Sequence, residues 1–273
     1  MDTATLLRRT PARCLVLAAL LLSAAAPAAP AEAATPSPRV VSAPGFDTCA
    51  APSVSAMRAW YQTTQYRAVG VYIGGGDRAC PAGNLSSDWV GSVSAQGWSL
   101  IPIYVGLQAP CAGGKALKKM TPALAAQQGT AEADDAANQA ASYGILGGSP
   151  VYFDLEGFRQ DNQACVNTAM AYLSAWTREL HSRGFYSGVY GSAASGMATL
   201  AETVATQPSF AAPDAVWIAR WDRQVRTADG SVPDAMWSNH RRIKQYQGGH
   251  VEKHGGVAIE IDGDFLDGPV ART

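Results

Sequence analysis

The sequence has few charged residues, few histidines and no cysteine pair spaced for zinc. Charged side chains make up 16% of the chain, and 21 Lys and Arg against 22 Asp and Glu leave a formal net charge of −1. This balance lacks the basic excess with which proteins hold a phosphate backbone, so no nucleic-acid partner is expected. C-x-x-C, phosphate-loop and G-x-S-x-G patterns are absent. We therefore predict no metal and no cofactor.

The only cluster of histidines also departs from a metal motif. His250 and His254 flank Glu252 in H-V-E-K-H, whereas the helical motif of zinc enzymes is H-E-x-x-H. Glycine pairs stand on both sides, at Gly248-Gly249 and Gly255-Gly256, and they disfavour the helix that would align the two imidazoles. The segment is predicted to be a solvated hairpin tip.

The first residues have the layout of an export signal. Arg8, Arg9 and Arg13 precede an apolar run over Cys14–Leu22, and Ala31-Glu32-Ala33 offers a cleavage site. The arginine pair leaves twin-arginine export open beside the general route. The apolar run is short for a membrane span, and no later segment approaches one.

The domain prediction follows from this signal. We predict a signal peptide over residues 1–33, a flexible leader over 34–42 and a single barrel domain over 43–273. The remaining length is normal for one α/β barrel, which typically has about 250 residues. The protein is expected to be secreted, either extracellular or associated with the cell wall, to have no stable membrane span after cleavage, and to be a monomer.

The cysteines outside the predicted signal peptide are even in number, which in an oxidising compartment predicts disulfides. They are Cys49, Cys80, Cys111 and Cys165. Three pairings are possible for four cysteines. The pairs Cys49–Cys80 and Cys111–Cys165 are favoured because each would join neighbouring loops.

Short apolar segments alternate with longer amphipathic ones along the rest of the chain. The short segments are rich in Val, Ile, Tyr and Trp and are bounded by Gly, Pro or polar turns, which is typical of strands. Several are apolar on both faces, as in parallel sheets covered by helices. The predicted strands are Val40–Phe46, Ala68–Ile73, Ser99–Val105, Pro150–Leu155, Tyr186–Tyr190, Ala215–Trp221, Arg241–Tyr246 and Ala258–Phe265.

Helical patterns lie between most of these strands. Thr121-Pro122 can open a helix that runs to about Tyr143, and Asp161 or Asn162 can cap the next one, which Gly184 closes. Shorter helices are predicted over Pro52–Gln62, Ser86–Gln96 and Ser192–Ala205. The connections after the sixth and seventh strands are rich in Gly and polar residues. The sequence thus predicts an α/β fold, a (β/α)₈ TIM-like barrel that is irregular in its last quarter. A doubly wound open sheet is the alternative.

Acidic residues stand at the ends of three predicted strands: Asp47 at the first, Asp154 and Glu156 at the fourth, Asp262 and Asp264 at the last. Strand ends form the mouth of such a barrel, and side chains alternate, so the two acids of the fourth strand point the same way. Carboxyls close together in a partly dry site cannot all ionise, so at least one should have a raised pKa. A protonated acid beside an ionised one suits glycosidic cleavage. A lone acid at a strand end is usually only a loop cap, but three such ends favour a shared site.

Aromatic residues near the strand ends are candidates for stacking on sugar rings, with ordinary barrel packing as the alternative. Trp221 and Tyr246 are the strongest of them. Gln245 could add an amide hydrogen bond, although it can equally point outward. The predicted substrate-binding residues are Tyr72, Tyr104, Tyr190, Trp221, Tyr246 and Asp264.

The motifs G-F-D-T, V-Y-F-D-L-E-G, V-W-I-A-R-W and E-I-D-G-D-F-L-D resemble those of a known family. It is the glycoside-hydrolase-like domain of secreted bacterial proteins called domain of unknown function 1906. That domain is in turn similar to family 25 glycoside hydrolases, the lysozymes of the muramidase type. The resemblance extends from about Ala43 to Leu266. It implies a flattened α/β barrel with an irregular end and peptidoglycan as the substrate class.

Position by position, the resemblance implies that Glu156 is the general acid. It implies that Asp154 assists at the anomeric side by orienting a substrate N-acetyl group, and that Asp47 and Asp262 support both. Two positions depart from the lysozymes: Thr48-Cys49 completes their D-x-S motif differently, and Asp264 stands where they have Asn. Three functions therefore stay open. They are a glycosidase acting on peptidoglycan or a related cell-wall glycan, a non-catalytic barrel that binds cell-wall polysaccharide, and a barrel that docks an envelope protein.

Overall fold

Eight strands close into a barrel in a computed structural model that describes residues 1–3, 35–114 and 117–273. The predicted signal peptide therefore lies outside the described residues, apart from its first three. The strands are β1 (Arg39–Asp47), β2 (Ala68–Gly74), β3 (Ser99–Tyr104), β4 (Pro150–Leu155), β5 (Tyr186–Ser192), β6 (Ala215–Ala219), β7 (Arg242–His254) and β8 (Val257–Val270).

The barrel is parallel from β1 to β7, and β8 runs antiparallel to both of its neighbours. Closure excludes the doubly wound open sheet and confirms the predicted TIM-like barrel. The last quarter is irregular as predicted, because residues 220–241, all of which the structure describes, contain no helix. β7 and β8 form a long hairpin that turns at Gly255-Gly256.

The direction of β8 corrects one expectation about the acids. Asp262 and Asp264 lie in the middle of β8 and not at its carboxyl end. They still reach the mouth, because the antiparallel β8 passes the carboxyl end of β1 there: Asp47 is paired with Asp262 and Gly45 with Asp264. The same long pairing extends to Arg39, which lies opposite Val270. Residues 39–42 of the predicted leader are therefore part of β1.

The helices cover the outside of the barrel and follow the predicted pattern. They are α1 (Val54–Thr63), α2 (Ser87–Ala95), α3 (Ala125–Ser142), α4 (Gln163–Ser182) and α5 (Ala198–Thr206), with a 3₁₀ turn at Pro122–Leu124 and a π turn at Ala193–Met197. Serine or asparagine oxygens cap three of them, since Ser53, Ser86 and Asn162 each accept from a backbone N–H of the first turn. Asn162, and not Asp161, is thus the cap of α4.

The side chains of β4 alternate between the inside and the outside of the barrel, and this decides which of them face its interior. Tyr152 belongs to the apolar cluster inside the barrel, whereas Phe153 and Leu155 belong to the larger cluster between the sheet and the helices. Asp154 lies between these outward residues and therefore points inward. The packing of Leu155 against the helices is what fixes the orientation of its acidic neighbours.

Two disulfides join loops at the carboxyl ends of the strands. They are Cys49–Cys80 and Cys111–Cys165, with Sγ–Sγ distances of 2.10 and 2.11 Å, and they confirm the predicted pairing. The first joins the segments that follow β1 and β2. The second joins the segment after β3 to the first turn of α4. In the described part of the chain, no helix is both long and apolar enough to cross a bilayer.

Candidate active site

Three carboxyl groups from distant parts of the sequence meet inside the barrel. Asp47, Asp154 and Asp264 expose 2%, 6% and 0% of their surface, respectively. Asp262 lies beside Asp47 and is partly buried. Four of the five predicted acids therefore converge at one place, although those of β8 come from the middle of their strand.

Asp47 is held by two donors, one on the neighbouring strand β2 and one on β7. The Tyr72 hydroxyl donates to its Oδ1 at 3.3 Å, and Gln245 Nε2 donates to its Oδ2 at 2.8 Å. Burial raises the pKa of Asp47 to about 7, and the nearby charge of Asp262 adds to the rise, while these hydrogen bonds oppose it. Burial also raises the pKa of Asp262.

Asp154 and Asp264 are more strongly perturbed in the same direction. Burial raises the pKa of Asp154 well above its ordinary value, and the charges of Glu156 and Asp47 raise it further. Burial and the charge of Asp47 likewise raise the pKa of Asp264, against a hydrogen bond of 2.9 Å from Trp217 Nε1 to its Oδ1. Within the described ranges, Asp154 Oδ1 and Asp264 Oδ2 have no hydrogen-bond partner. Burial and mutual repulsion therefore favour the protonated forms of these carboxyls.

Glu156 lies outside this cluster, in an open cavity. It is exposed and directly follows β4, so it shares the inward direction of Asp154 but stands at the rim. The cavity has a volume of about 310 Å³, and Trp221 forms part of its wall with 67% of its surface exposed. The lining residues are Leu155, Glu156, Gly157, Tyr190, Ser192, Ala219 and Trp221.

Tyr190 and Gln245 connect the open cavity to the buried acids. Tyr190 lines the open cavity and also a cavity of about 10 Å³ inside the barrel, which Asp47 and Asp154 line as well. Gln245 Oε1 accepts from the Tyr190 hydroxyl at 3.0 Å and from Trp221 Nε1 at 2.8 Å, while its Nε2 donates to Asp47. A continuous hydrogen-bond path thus leads from an exposed indole to a buried carboxyl.

The sequence does not show whether Gln245 points into the barrel or outward. Ile243, two residues earlier, belongs to the apolar cluster inside the barrel. Since side chains alternate, Gln245 faces the same interior. The signal that could have found it is therefore the direction of Ile243, which the sequence pattern does not reveal in a strand that is apolar on both faces.

Two predicted substrate-binding residues lie elsewhere. Tyr104 points to the helices: its hydroxyl donates to Asp135 at 2.7 Å, and its ring packs against Trp176. Tyr246 occupies the face of β7 opposite to Gln245, where its ring lies close to Gly263 of β8, 3.2 Å from where a Cβ would stand. The expectation that they line the mouth is corrected for both, because each stands at an outward position of its strand.

A larger cavity, of about 600 Å³, lies along the segment after β6. Its charged side chains are largely paired. Arg220 Nε donates to Asp229 at 2.7 Å, and Lys244 Nζ, buried beneath, donates to Asp222 at 2.8 Å. Because these charges are paired with each other, few of them are available to bind a ligand. The smaller cavity beside the acids is therefore the better candidate for the functional site.

The histidine segment is a β-hairpin, as predicted, with one face partly buried. Glu252 lies between the Nε2 atoms of His250 and His254, at 3.0 and 2.7 Å, and accepts from the Tyr66 hydroxyl at 3.0 Å. These contacts and the edge of Trp60 against His254 hold the hairpin on α1. Over residues 1–3, 35–114 and 117–273, no group of three or more His, Cys, Asp or Glu side chains is arranged to hold a metal ion.

The sequence matches a known protein family. The sequence model of the Rv2525c-like, glycoside hydrolase-like domain matches residues 58–266, which is most of the chain. No curated protein matches the sequence.

Solved structures share the fold at low sequence identity. An uncharacterized protein of B. stearothermophilus is 16% identical with a TM-score of 0.55, over 82% of this chain and 95% of that one. The modular autolysin LytC from Streptococcus pneumoniae is 11% identical with a TM-score of 0.50, over 85% of this chain and 47% of its own, so the chain spans about half the length of LytC. At such identities the likeness concerns the fold alone.

Proposed function

Since the chain belongs to the family of Rv2525c-like, glycoside hydrolase-like domains, we propose that it is a secreted glycoside hydrolase. Its proposed substrate is peptidoglycan or a related cell-wall glycan. Glu156, at the rim, is the general acid, and Asp154, buried inside the barrel, assists it. Asp47 and Asp262 support both, and Tyr72, Tyr190, Trp221 and Asp264 complete the site.

One observation carries the proposal. Glu156 and the exposed indole of Trp221 line the same open cavity of about 310 Å³, directly outside the buried cluster of acids. An aromatic face beside a carboxyl is suited to a sugar ring, because the ring stacks on the indole while the acid reaches a glycosidic oxygen. The largely paired charges around the larger cavity offer no such combination.

The proposed step uses the two acids in different ways. Glu156 gives its proton to the leaving oxygen as the bond between that oxygen and the anomeric carbon breaks. A water molecule finally supplies a hydroxyl to that carbon, and the other proton of the water returns to Glu156. Burial raises the pKa of Asp154 and so favours its protonated form, which can donate a hydrogen bond to a substrate carbonyl or carboxylate. That suits the orientation of an N-acetyl group.

Two findings support action outside the cytoplasm. Four cysteines form two disulfides, and such bonds persist in oxidising compartments. LytC, with the same fold, is an autolysin. Together with the basic and apolar N-terminal segment, these favour an extracellular or cell-wall-associated protein.

The test is the release of reducing ends and soluble fragments from purified peptidoglycan. Wild type should release them, Glu156→Gln should lose at least about 100-fold in rate because a proton donor is removed, and Glu202→Gln, an exposed change on α5, should match wild type. Equal rates for wild type and Glu156→Gln would overturn the assigned role.

A non-catalytic binder is the second candidate, and the extra buried acid Asp264 favours it. A barrel that binds without cleaving would be retained saturably on cell-wall polysaccharide and release no product. Its retention would depend on Trp221 and not on Glu156. Co-purification of one envelope protein, unaffected by Glu156→Gln, would instead favour protein docking.

A further inference from the structure

Gln108 is a buried amide in the segment that follows β3. Its surface is 0% exposed. Its backbone is fixed on both sides, since its N–H donates to the carbonyl of Lys118 and its carbonyl accepts from the N–H of Met120, both at 2.9 Å. The residue therefore has one defined position, and its side chain has one defined direction.

The Gln108 side chain forms hydrogen bonds with the backbone of Asp154, in β4, and of Glu156, directly after it. Nε2 donates to the carbonyl of Asp154 at 2.8 Å and to that of Gly106 at 3.0 Å, and Oε1 accepts from the N–H of Glu156 at 2.8 Å. The side-chain amide thus supplies the donor and the acceptor that the backbone of a neighbouring strand would otherwise supply. It does so where β3 ends, because the pairing of β3 with β4 stops at Tyr104 and Phe153.

We propose that Gln108 is a positioning residue that sets the direction of the Asp154 and Glu156 side chains relative to each other. The proposal rests on the function proposed above, because it gives these two carboxyls their roles. Gln108 touches neither carboxyl. It acts by fixing the peptide groups on either side of Leu155, and with them the backbone that carries both acids.

The segment that carries Gln108 is itself anchored from the outside of the barrel. Glu132 on α3 accepts from the N–H of Leu107 at 2.9 Å. A Cβ at Gly106 would meet the Glu132 carboxylate and would lie 2.8 Å from the buried ring of Phe153, so this close approach favours glycine. The Cys111–Cys165 disulfide then ties the same segment to the first turn of α4. The anchor is therefore rigid and independent of the acids.

Glutamine is the residue type that this position requires. It offers a donor and an acceptor on one uncharged group, which a backbone carbonyl and a backbone N–H need together. A carboxylate would lack the donor for Asp154, and an aliphatic side chain would lack both partners. Either change leaves a buried backbone group of β4 unpaired and frees the end of the strand to shift.

The test compares Gln108→Leu and Gln108→Glu with Gln96→Leu. Gln96 is a matched control, because its Nε2 also donates to a backbone carbonyl, that of Val54 at 3.0 Å, but far from the acids. The first readout needs no turnover. It is amide hydrogen exchange at Glu156, together with NMR titration of the Asp154 and Glu156 carboxyls.

We expect at least about 10-fold faster exchange at Glu156 and a shifted carboxyl titration in Gln108→Leu, with neither change in Gln96→Leu. Gln108→Glu keeps the volume and the acceptor, so it should leave exchange at Glu156 closer to wild type while still shifting the titration of Asp154. It also serves as the test if Gln108→Leu does not fold. Unchanged exchange and titration in the folded variants would overturn the proposal.

The second readout is the rate on peptidoglycan. A positioning role predicts that Gln108→Leu lowers kcat by an order of 10²-fold with KM little changed, because misplacing a catalytic group affects the reaction more than binding. Wild-type kcat in Gln108→Leu would overturn the proposal. If wild type itself releases no product, the proposed function fails, and the amide exchange and the carboxyl titration decide the positioning role.

Discussion

Asp47 on β1 and Asp262 on β8 lie directly opposite each other, as cross-strand partners in an antiparallel pair. Two carboxyls in this position repel each other if both are ionised, and burial increases the cost. A proton retained by either carboxyl lowers the free-energy cost of this repulsion. Gln245 and Tyr72 hold the Asp47 carboxyl in place by hydrogen bonds. This relationship makes the site sensitive to pH.

The first prediction is that the folded protein loses stability as the pH rises from about 5 to 8. The pKa of Asp47 rises from 3.8 to about 7 on folding, so between these values the folded protein binds a proton that the unfolded chain has released. The contribution of this proton to stability is therefore fully present below about pH 4 and is lost as the pH rises through about 7. Asp154 and Asp264 act in the same direction.

Denaturant unfolding at several pH values measures this slope. Asp47→Asn should make it shallower, whereas Asp88→Asn, an exposed change on α2, should leave it as in wild type. A free energy of unfolding that rises between pH 5 and 8 would contradict the assignment. So would an equal slope in wild type and Asp47→Asn.

The second prediction concerns Trp221. Trp221→Ala should weaken binding of soluble cell-wall fragments by about 10-fold, equivalent to ~1.4 kcal/mol, because the stacking face of the cavity is lost. The free energy of unfolding should change by less than about 1 kcal/mol, since the indole is 67% exposed and Gln245 Oε1 retains the Tyr190 hydroxyl.

Calorimetric titration of the fragments separates stacking from the indole hydrogen bond. Trp221→Phe keeps an aromatic face but lacks the N–H that Gln245 accepts, so it should bind more tightly than Trp221→Ala. Equal affinity of wild type and Trp221→Ala would remove Trp221 from the site.

The third prediction tests the packing of α3 on α4. A Cβ at Gly129 would lie 2.3 Å from the backbone oxygen of Tyr172, and backbone cannot move aside cheaply. Gly129→Ala should therefore destabilise the protein by about 1–3 kcal/mol or more. Gly91→Ala in α2 meets nothing within 4 Å and should stabilise it by up to ~1 kcal/mol.

Thermal unfolding of the two variants is a matched comparison, because both exchange glycine for alanine inside a helix. The difference between them isolates the collision with Tyr172. Equal melting temperatures would show that the two helices do not approach as closely as described.

The fourth prediction is that each disulfide stabilises the protein by roughly 3–4 kcal/mol. The bridges close loops with sequence separations of 31 and 54 residues, and cross-links of that span restrict the unfolded chain considerably. Cys49→Ser with Cys80→Ser, and Cys111→Ser with Cys165→Ser, should each lower the midpoint of denaturant unfolding.

Wild type under a strong reductant should unfold at about the midpoint of a variant that lacks the four disulfide-bonded cysteines. If that variant is as stable as the oxidised wild type, the prediction is wrong. The Cys111–Cys165 variant should also show faster amide exchange at Gln108, since this bridge anchors the segment that carries it.

Much of the fold could be predicted because its determinants are local. The alternation that turns Leu155 outward and Asp154 inward is a property of six consecutive residues, and β4 has the predicted limits, Pro150–Leu155. The caps of the helices are equally local, since Asn162 and Cys165 are three residues apart.

The inner and outer faces of the strands were harder to distinguish. Tyr104 and Tyr246 are predicted at the mouth, but Tyr104 faces the helices and Tyr246 lies on the face of β7 opposite to Gln245, close to Gly263. In a strand that is buried on both faces, apolar residues occur on either side, so the pattern does not say which side is the barrel interior. Only packing against defined neighbours decides it.

The sequence by itself determined the strands, most helices and the presence of acids near the ends of strands. The spacing of apolar residues, the turn residues and the helix caps on which these depend involve only neighbours in the chain. The tertiary structure alone decided that β8 runs antiparallel and brings Asp262 opposite Asp47. It also decided that Gln245 reaches Asp47 across 198 residues and that Gln108 reaches Asp154 across 46. Such contacts follow from barrel closure, which buries polar groups from remote segments together and leaves them only each other as hydrogen-bond partners.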